Sequence, residues 1–266
     1  MASGSPTISS DAIRRRFAEL RARQRKALVV YLTAGHPDID RSLELLRGVA
    51  EAGADVVEVG VPFSDPMADG PVIQASSQQA LGAGMTYDLS LELIHRARLS
   101  IPIVLFTYLN PLLAAGPDAL DRASAAGAHG ILITDLPVGA DPVREAWLGD
   151  GPLAFVRLVA PTTPLARMEE IARYGSGFAY LISRLGVTGA HGQLPPELPQ
   201  TIARLRSITE LPICVGFGIS RPEQAREVAA MADGVVVGSA VVREAGSSVQ
   251  SALTLVSLLR QAIDRG

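Results

Sequence analysis

Short apolar runs rich in β-branched residues recur along the whole chain, and between them apolar residues return at helical spacing. The runs are Leu28–Thr33, Val56–Val61, Ile103–Tyr108, Gly130–Asp135, Phe155–Val159, Ala179–Ser183, Ile213–Gly216 and Gly234–Val237, eight in all. Amphipathic segments such as Arg41–Glu51, Leu165–Arg173, Gln200–Ser207 and Pro222–Met231 separate them. An extra helical segment, Tyr87–Arg98, follows Ile73–Leu81 and lengthens the second connection. Ahead of the first run, Asp11–Arg25 carries Ala12, Ile13, Phe17 and Leu20 on one face and is placed as a helix across the bottom of the fold.

The junctions repeat as well. Ala52-Gly53-Ala54 precedes the second strand and Ala126-Gly127-Ala128 the fourth, each a helix ending at a glycine and turning into a buried strand. Strict strand–helix alternation implies parallel strands joined by crossovers. Eight such units in 266 residues predict an α/β fold, a single (β/α)8 TIM barrel spanning 1–266, with an additional N-terminal helix, an extra helix after the second strand and a flexible start at 1–9. A doubly wound open sheet is the alternative. It is weakened because Ala34-Gly35-His36-Pro37 follows the first strand, where a Gly-x-Gly-x-x-Gly turn would be expected.

Strand side chains alternate in direction. With Val57, Val59 and Val61 toward the helices, Val56, Glu58 and Gly60 face the barrel interior; by the same parity Tyr180, Ile182 and Arg184 share a face of the sixth strand. A carboxylate inside an apolar strand costs several kcal/mol or shifts its pKa. Glu58 therefore marks a site, the more so because its strand opens onto Pro62-Phe63-Ser64-Asp65-Pro66-Met67-Ala68-Asp69-Gly70-Pro71 with two further acids. The bland alternatives are an ion pair of Glu58 with Arg184, and turn or capping roles for Asp65 and Asp69.

At the other side of the mouth, Gly216-Phe217-Gly218-Ile219-Ser220 closes the seventh strand and Gly238-Ser239-Ala240 the eighth. Loops after strands 7 and 8 leading into a short helix are the usual phosphate cradle of such barrels. Gly186-Val187-Thr188-Gly189 adds a third glycine-rich edge, suited to a mobile lid.

Composition narrows the function further. A net charge of −3 argues against nucleic acid or an anionic membrane as partner. The one basic run, Arg14, Arg15, Arg16, Arg21, Arg23, Arg25 and Lys26, is expected on the solvated face of the first helix. Cys214 is the only cysteine and lies in an apolar strand, which excludes an internal disulfide and suits a reducing compartment. Met1–Ser10 lacks the pattern of a signal peptide and no apolar run approaches membrane-spanning length, so the expected location is cytoplasmic. His36, His95, His129 and His191 lack metal-ligand spacing and are expected in loops and on the surface, with no metal site.

The chain resembles the tryptophan synthase alpha chain family from about Leu28 to Val242. The resemblance rests on Glu58-Val59-Gly60-Val61-Pro62-Phe63-Ser64-Asp65-Pro66-Met67-Ala68-Asp69-Gly70-Pro71, then Tyr180-Leu181-Ile182-Ser183-Arg184-Leu185-Gly186-Val187-Thr188-Gly189, Gly216-Phe217-Gly218-Ile219-Ser220 and Gly238-Ser239-Ala240, all in family order. It implies a lyase that cleaves indole-3-glycerol phosphate to indole and glyceraldehyde 3-phosphate in tryptophan biosynthesis. Glu58 would be the catalytic acid/base, Asp69 would accept the indole N–H, and Tyr180 would line the pocket. Phe217, Tyr108 and Leu132 would form its apolar walls, while Thr188, Gly189, Gly218, Gly238 and Ser239 would hold the substrate's phosphate side.

The resemblance also places Asp65 at a contact with a beta chain, within an αββα heterotetramer through which indole is channelled. It requires no cofactor here, pyridoxal phosphate belonging to the beta chain. Two departures stand out. Leu28 occupies a position where the family often has an aromatic wall, and Ala190-His191-Gly192-Gln193-Leu194-Pro195-Pro196 follows a variable pattern. An autonomous lyase releasing free indole and a catalytically idle regulatory subunit are the alternatives; other phosphate-binding barrels share the fold.

Overall fold

The computed structural model describes residues 11–183, 194–216 and 218–266. Eight parallel strands close into a barrel in chain order: β1 (Ala27–Thr33), β2 (Val56–Gly60), β3 (Ile103–Thr107), β4 (Gly130–Ile133), β5 (Ala154–Val159), β6 (Ala179–Ile182), β7 (Ile213–Gly216) and β8 (Gly234–Val237). β8 pairs with β1 through Ala27↔Gly234 and Val29↔Val236, completing the ring. A helix α1 (Asp11–Ala22) precedes β1, and α2 (Ile39–Glu51) follows it. Two helices, α3 (Pro71–Gly82) and α4 (Tyr87–Ala97), follow β2, as the long second connection predicts.

The strands are buried almost throughout, with only Leu158 and Ile182 partly exposed, so their two faces are hard to tell apart by polarity. They separate by what they pack against. Leu28, Val30, Val57, Val59, Leu105 and Val215 belong to the layer between barrel and helices, whereas Val29, Val56, Val104, Leu132, Tyr180 and Cys214 fill the interior. The parity expected for β2 is therefore observed. So is the glycine turn into the strands, since Gly53 and Gly127 both take φ of +111°.

Ile13, Phe17 and Leu20 of α1 join the interior cluster, and Phe17 meets Phe178 with ring centroids 5.8 Å apart. The helix thus closes the bottom of the barrel. Gly130 at the foot of β4 makes room for it, because a Cβ there would stand 2.7 Å from Ile13 Cδ1. Most of the basic residues of α1 face solvent, but Arg16 turns inward to Asp55 at 2.6 Å. Asp55 is buried and also accepts from Arg260 at 2.9 Å and from the Leu28 amide at 2.8 Å, which ties α1 and α12 (Val249–Asp264) to the start of β1.

The histidines depart in part from expectation. His95 is exposed and His129 half-buried, accepting the Ile103 amide at its Nδ1 over 3.2 Å. His36 is buried rather than superficial: it follows Gly35, at φ +78°, and its Nδ1 has no hydrogen-bond partner among the described residues. That burial pushes its pKa down. His191 and Arg184 lie outside the described residues, as does 1–9. Among the described residues no group of three or more His, Cys, Asp or Glu is arranged to hold a metal ion, and no helix is long and apolar enough to cross a membrane.

Candidate active site

A cleft opens at the C-terminal ends of the strands, where barrels of this type place their chemistry. Its walls combine Glu58 and Asp69 with Tyr31, Phe106 and Tyr180. Opposite them lie Gly218–Ser220 and Gly238–Ala240. About 580 Å³ of non-atom space lies within it, open solvent included.

Glu58 occupies the middle of β2, in register with Tyr31 of β1 and Val104 of β3. It is wholly buried, and among the described residues neither carboxyl oxygen has a hydrogen-bond partner. Desolvation pushes its pKa up to about 8, so near neutrality it is a carboxylic acid. Among the described residues no cation pairs with Glu58; Arg184, the partner of the structural reading, lies outside them.

Asp69 is differently placed. The β2–α3 loop turns back through Asp69 N–H to the Pro66 carbonyl at 3.0 Å, and Gln74 of α3 grips the Asp69 carbonyl at 2.9 Å. Gly70 caps α3 and Pro71 opens it, so the turn is set by backbone preference. Burial pushes the Asp69 pKa up to about 6, and a hydrogen bond from the Tyr108 hydroxyl to Oδ2 at 3.0 Å opposes that rise. Tyr108 in turn accepts the Ala68 amide at 2.9 Å. Two carboxyl groups in one cleft are therefore held in different protonation states at neutral pH.

The aromatic walls depend on missing side chains nearby. A Cβ on Gly60 would lie 2.0 Å from the Tyr31 hydroxyl, and one on Gly216 would lie 2.4 Å from that of Tyr180. Both glycines are thus needed for the tyrosines to lie across the neighbouring strand. Tyr31 packs edge-on against Phe106 at 5.1 Å.

At the far side α11 (Ser239–Ser247) begins directly after β8, with Gly238 as its N-cap. Its first N–H groups have no partner within the helix and face an anion-ready space. Gly218 takes φ +91°, a backbone state that favours glycine.

Of the residues singled out from sequence, Glu58, Asp69, Tyr180, Gly218, Gly238 and Ser239 converge on this cleft. Tyr108 sits behind Asp69 rather than on the cleft wall. Leu132 faces the interior but is wholly buried; its register partner Phe106 is the residue that lines the cleft. Asp65 is exposed on the loop beside Met67, itself 89% exposed, and accepts from the Ser64 hydroxyl. Phe217, Thr188 and Gly189 lie outside the described residues.

Sequence reasoning missed Tyr31, Ile73, Phe106, Val236 and Arg243. The departure noted at Leu28 does not bear on the cleft: Leu28 points toward the helices, and the aromatic wall of β1 comes from Tyr31. The signal was available for Tyr31, three positions on and of opposite parity to Leu28.

Comparison with known proteins places this geometry in a family. The family model for the tryptophan synthase alpha chain matches residues 17–263. The tryptophan synthase alpha chain of Desulfatibacillum aliphaticivorans is 49% identical over 235 residues, covering 87% of this chain and 88% of the relative. That of Geobacter sulfurreducens is 46% identical over 255 residues, covering 93% and 97%. Among solved structures, Mycobacterium tuberculosis tryptophan synthase superposes with a TM-score of 0.88 at 32% identity, covering 96% of this chain and 98% of that one. Subunit alpha from Legionella pneumophila str. Paris gives 0.87 at 34%, covering 96% and 99%. The chain, with its closed barrel and its buried acid on β2, belongs to the tryptophan synthase alpha chain family.

Proposed function

We propose that Glu58 and Asp69 carry the two charge movements of the family's lyase reaction, the cleavage of indole-3-glycerol phosphate to indole and glyceraldehyde 3-phosphate. The supporting observation is the buried Glu58 carboxyl without a partner, in the same cleft as an Asp69 fixed by Tyr108. In its acid form Glu58 donates a proton to the indole C3, giving a cationic indolenine. The resulting carboxylate then takes the proton of the glycerol hydroxyl next to the C3 bond. That bond breaks, its electron pair returns to the ring, the aldehyde forms, and Glu58 ends the cycle protonated.

Asp69, as carboxylate, accepts the indole N–H and stabilises the positive charge while it exists. Tyr31, Phe106 and Tyr180 enclose the ring. The phosphate rests on the N–H groups at Gly218, Gly238 and Ser239. The reaction needs no cofactor in this subunit; pyridoxal phosphate belongs to the beta chain.

The solved complexes among the structural neighbours imply a beta-chain partner. The residues 1–266 then form one barrel unit in a cytoplasmic αββα assembly, with the exposed Asp65 and Met67 in the contact. The intact pair of acids argues against an idle regulatory subunit. Indole release from indole-3-glycerol phosphate by wild type and Glu58→Gln tests the assignment. The variant should lose at least a thousand-fold in kcat while still binding substrate; retained turnover would refute the acid/base role.

A further inference from the structure

Among the described residues one side chain lining the cleft carries a positive charge, and it belongs to Arg243. It lies on α11 four residues after Ser239, which puts both on one side of the helix, about one turn or 6 Å apart along the axis. Among the described residues Arg243 forms no ion pair or hydrogen bond, and its side chain is exposed at the rim. The cleft is consequently bipolar: carboxyl groups on β2 and its loop, a guanidinium above the start of α11.

We propose that Arg243 is a substrate-orienting residue that binds the phosphate end of the substrate as a dianion, an inference that rests on the phosphate placement above. Backbone N–H groups and the Ser239 hydroxyl carry partial charge only and donate equally to any oxygen acceptor. A full cation one turn along adds charge discrimination, and a guanidinium can meet two phosphate oxygens at once. It also fixes polarity. With Asp69 ionised at the opposite end, the phosphate is repelled from the indole side and drawn to α11. The nucleus that must meet Glu58 is thereby presented in one direction.

The test uses the full-length chain and glycerol 3-phosphate, an anion that lacks the ring. Its Kd is measured calorimetrically for wild type, Arg243→Ala and Arg243→Lys at low and high salt, alongside the kinetics with indole-3-glycerol phosphate. Arg243→Ala should weaken glycerol 3-phosphate about ten-fold, flatten its salt dependence, and raise KM about ten-fold with kcat changed less than three-fold. Arg243→Lys should recover more than half of the lost affinity, which a purely structural role would not require. Equal binding in wild type and Arg243→Ala would overturn the role of Arg243 alone. A wild-type chain that takes up no glycerol 3-phosphate would overturn the phosphate placement, and this proposal with it.

Discussion

Among the described residues nothing pairs with the charge that Glu58 would carry. A carboxyl group whose pKa rises to about 8 on folding binds its proton more tightly in the native state than in the unfolded chain. The sign follows directly. Below the usual glutamate pKa both states are protonated and no penalty exists. As pH rises toward 8 the unfolded chain releases its proton while the native one keeps it, so stability falls across that window. Glu58→Gln, which cannot ionise, should therefore be more stable than wild type at pH 8, by on the order of a few kcal/mol, and equal to it at pH 4. Thermal unfolding at the two pH values checks this; a constant difference would mean that Glu58 is not desolvated.

The same pair governs activity. kcat/KM should rise with Asp69 ionisation near pH 6 and fall as Glu58 loses its proton near pH 8. Tyr108→Phe removes the hydrogen bond that restrains the Asp69 pKa, so the acid limb should move upward by about half a unit or more while the alkaline limb stays put. A pH–rate profile that shifts on both limbs would assign Tyr108 a different part.

At the scale of elements, α1 stands outside the strand–helix repeat and closes the barrel bottom. Ile13 is wholly buried and fills the space left by Gly130. Ile13→Ala should cost 2–5 kcal/mol, in the range of buried large-to-small changes, measured by denaturant unfolding. Lyase kinetics at a temperature where the variant stays folded should change little, since the cleft lies at the opposite end. Gly130→Ala should be tolerated better with Ile13→Ala than alone, and a double-mutant cycle would show the coupling.

Elements were also where the sequence was most and least legible. β2 and its loop announced themselves because an acid in a β-branched run is costly enough to need a reason. The helix α5 (Leu109–Ala114) gave no comparable sign, as six residues with Pro111 inside hold too few turns for periodicity to show. Tyr31, Phe106 and Val236 were hidden for another reason. In a strand buried on both faces nearly every position is apolar, and which one reaches the mouth depends on register with neighbours far away in sequence. Glu58 could be assigned from its own strand; the residues around it required the register to be known.

For the whole molecule, the two ends of the barrel have separate tasks. The C-terminal mouth carries the chemistry and an exposed loop with Asp65 and Met67, the latter a large apolar side chain left bare. If the beta chain covers this loop, Met67→Asp should leave the turnover of the isolated chain within two-fold of wild type and reduce stimulation by an added beta chain about ten-fold. Indole release with and without a beta chain measures both. High turnover of the isolated chain, unchanged by a partner, would instead favour the autonomous lyase.

Ile13, Phe17 and Phe178 make the barrel a blind alley rather than a tunnel. Nothing reaches or leaves Glu58 through the foot of the barrel, so both products depart at the mouth end. The order of departure is then decided at the rim, by whichever of the ring pocket and the anion seat lets go first. Traffic can be retimed there without touching the acid that breaks the bond.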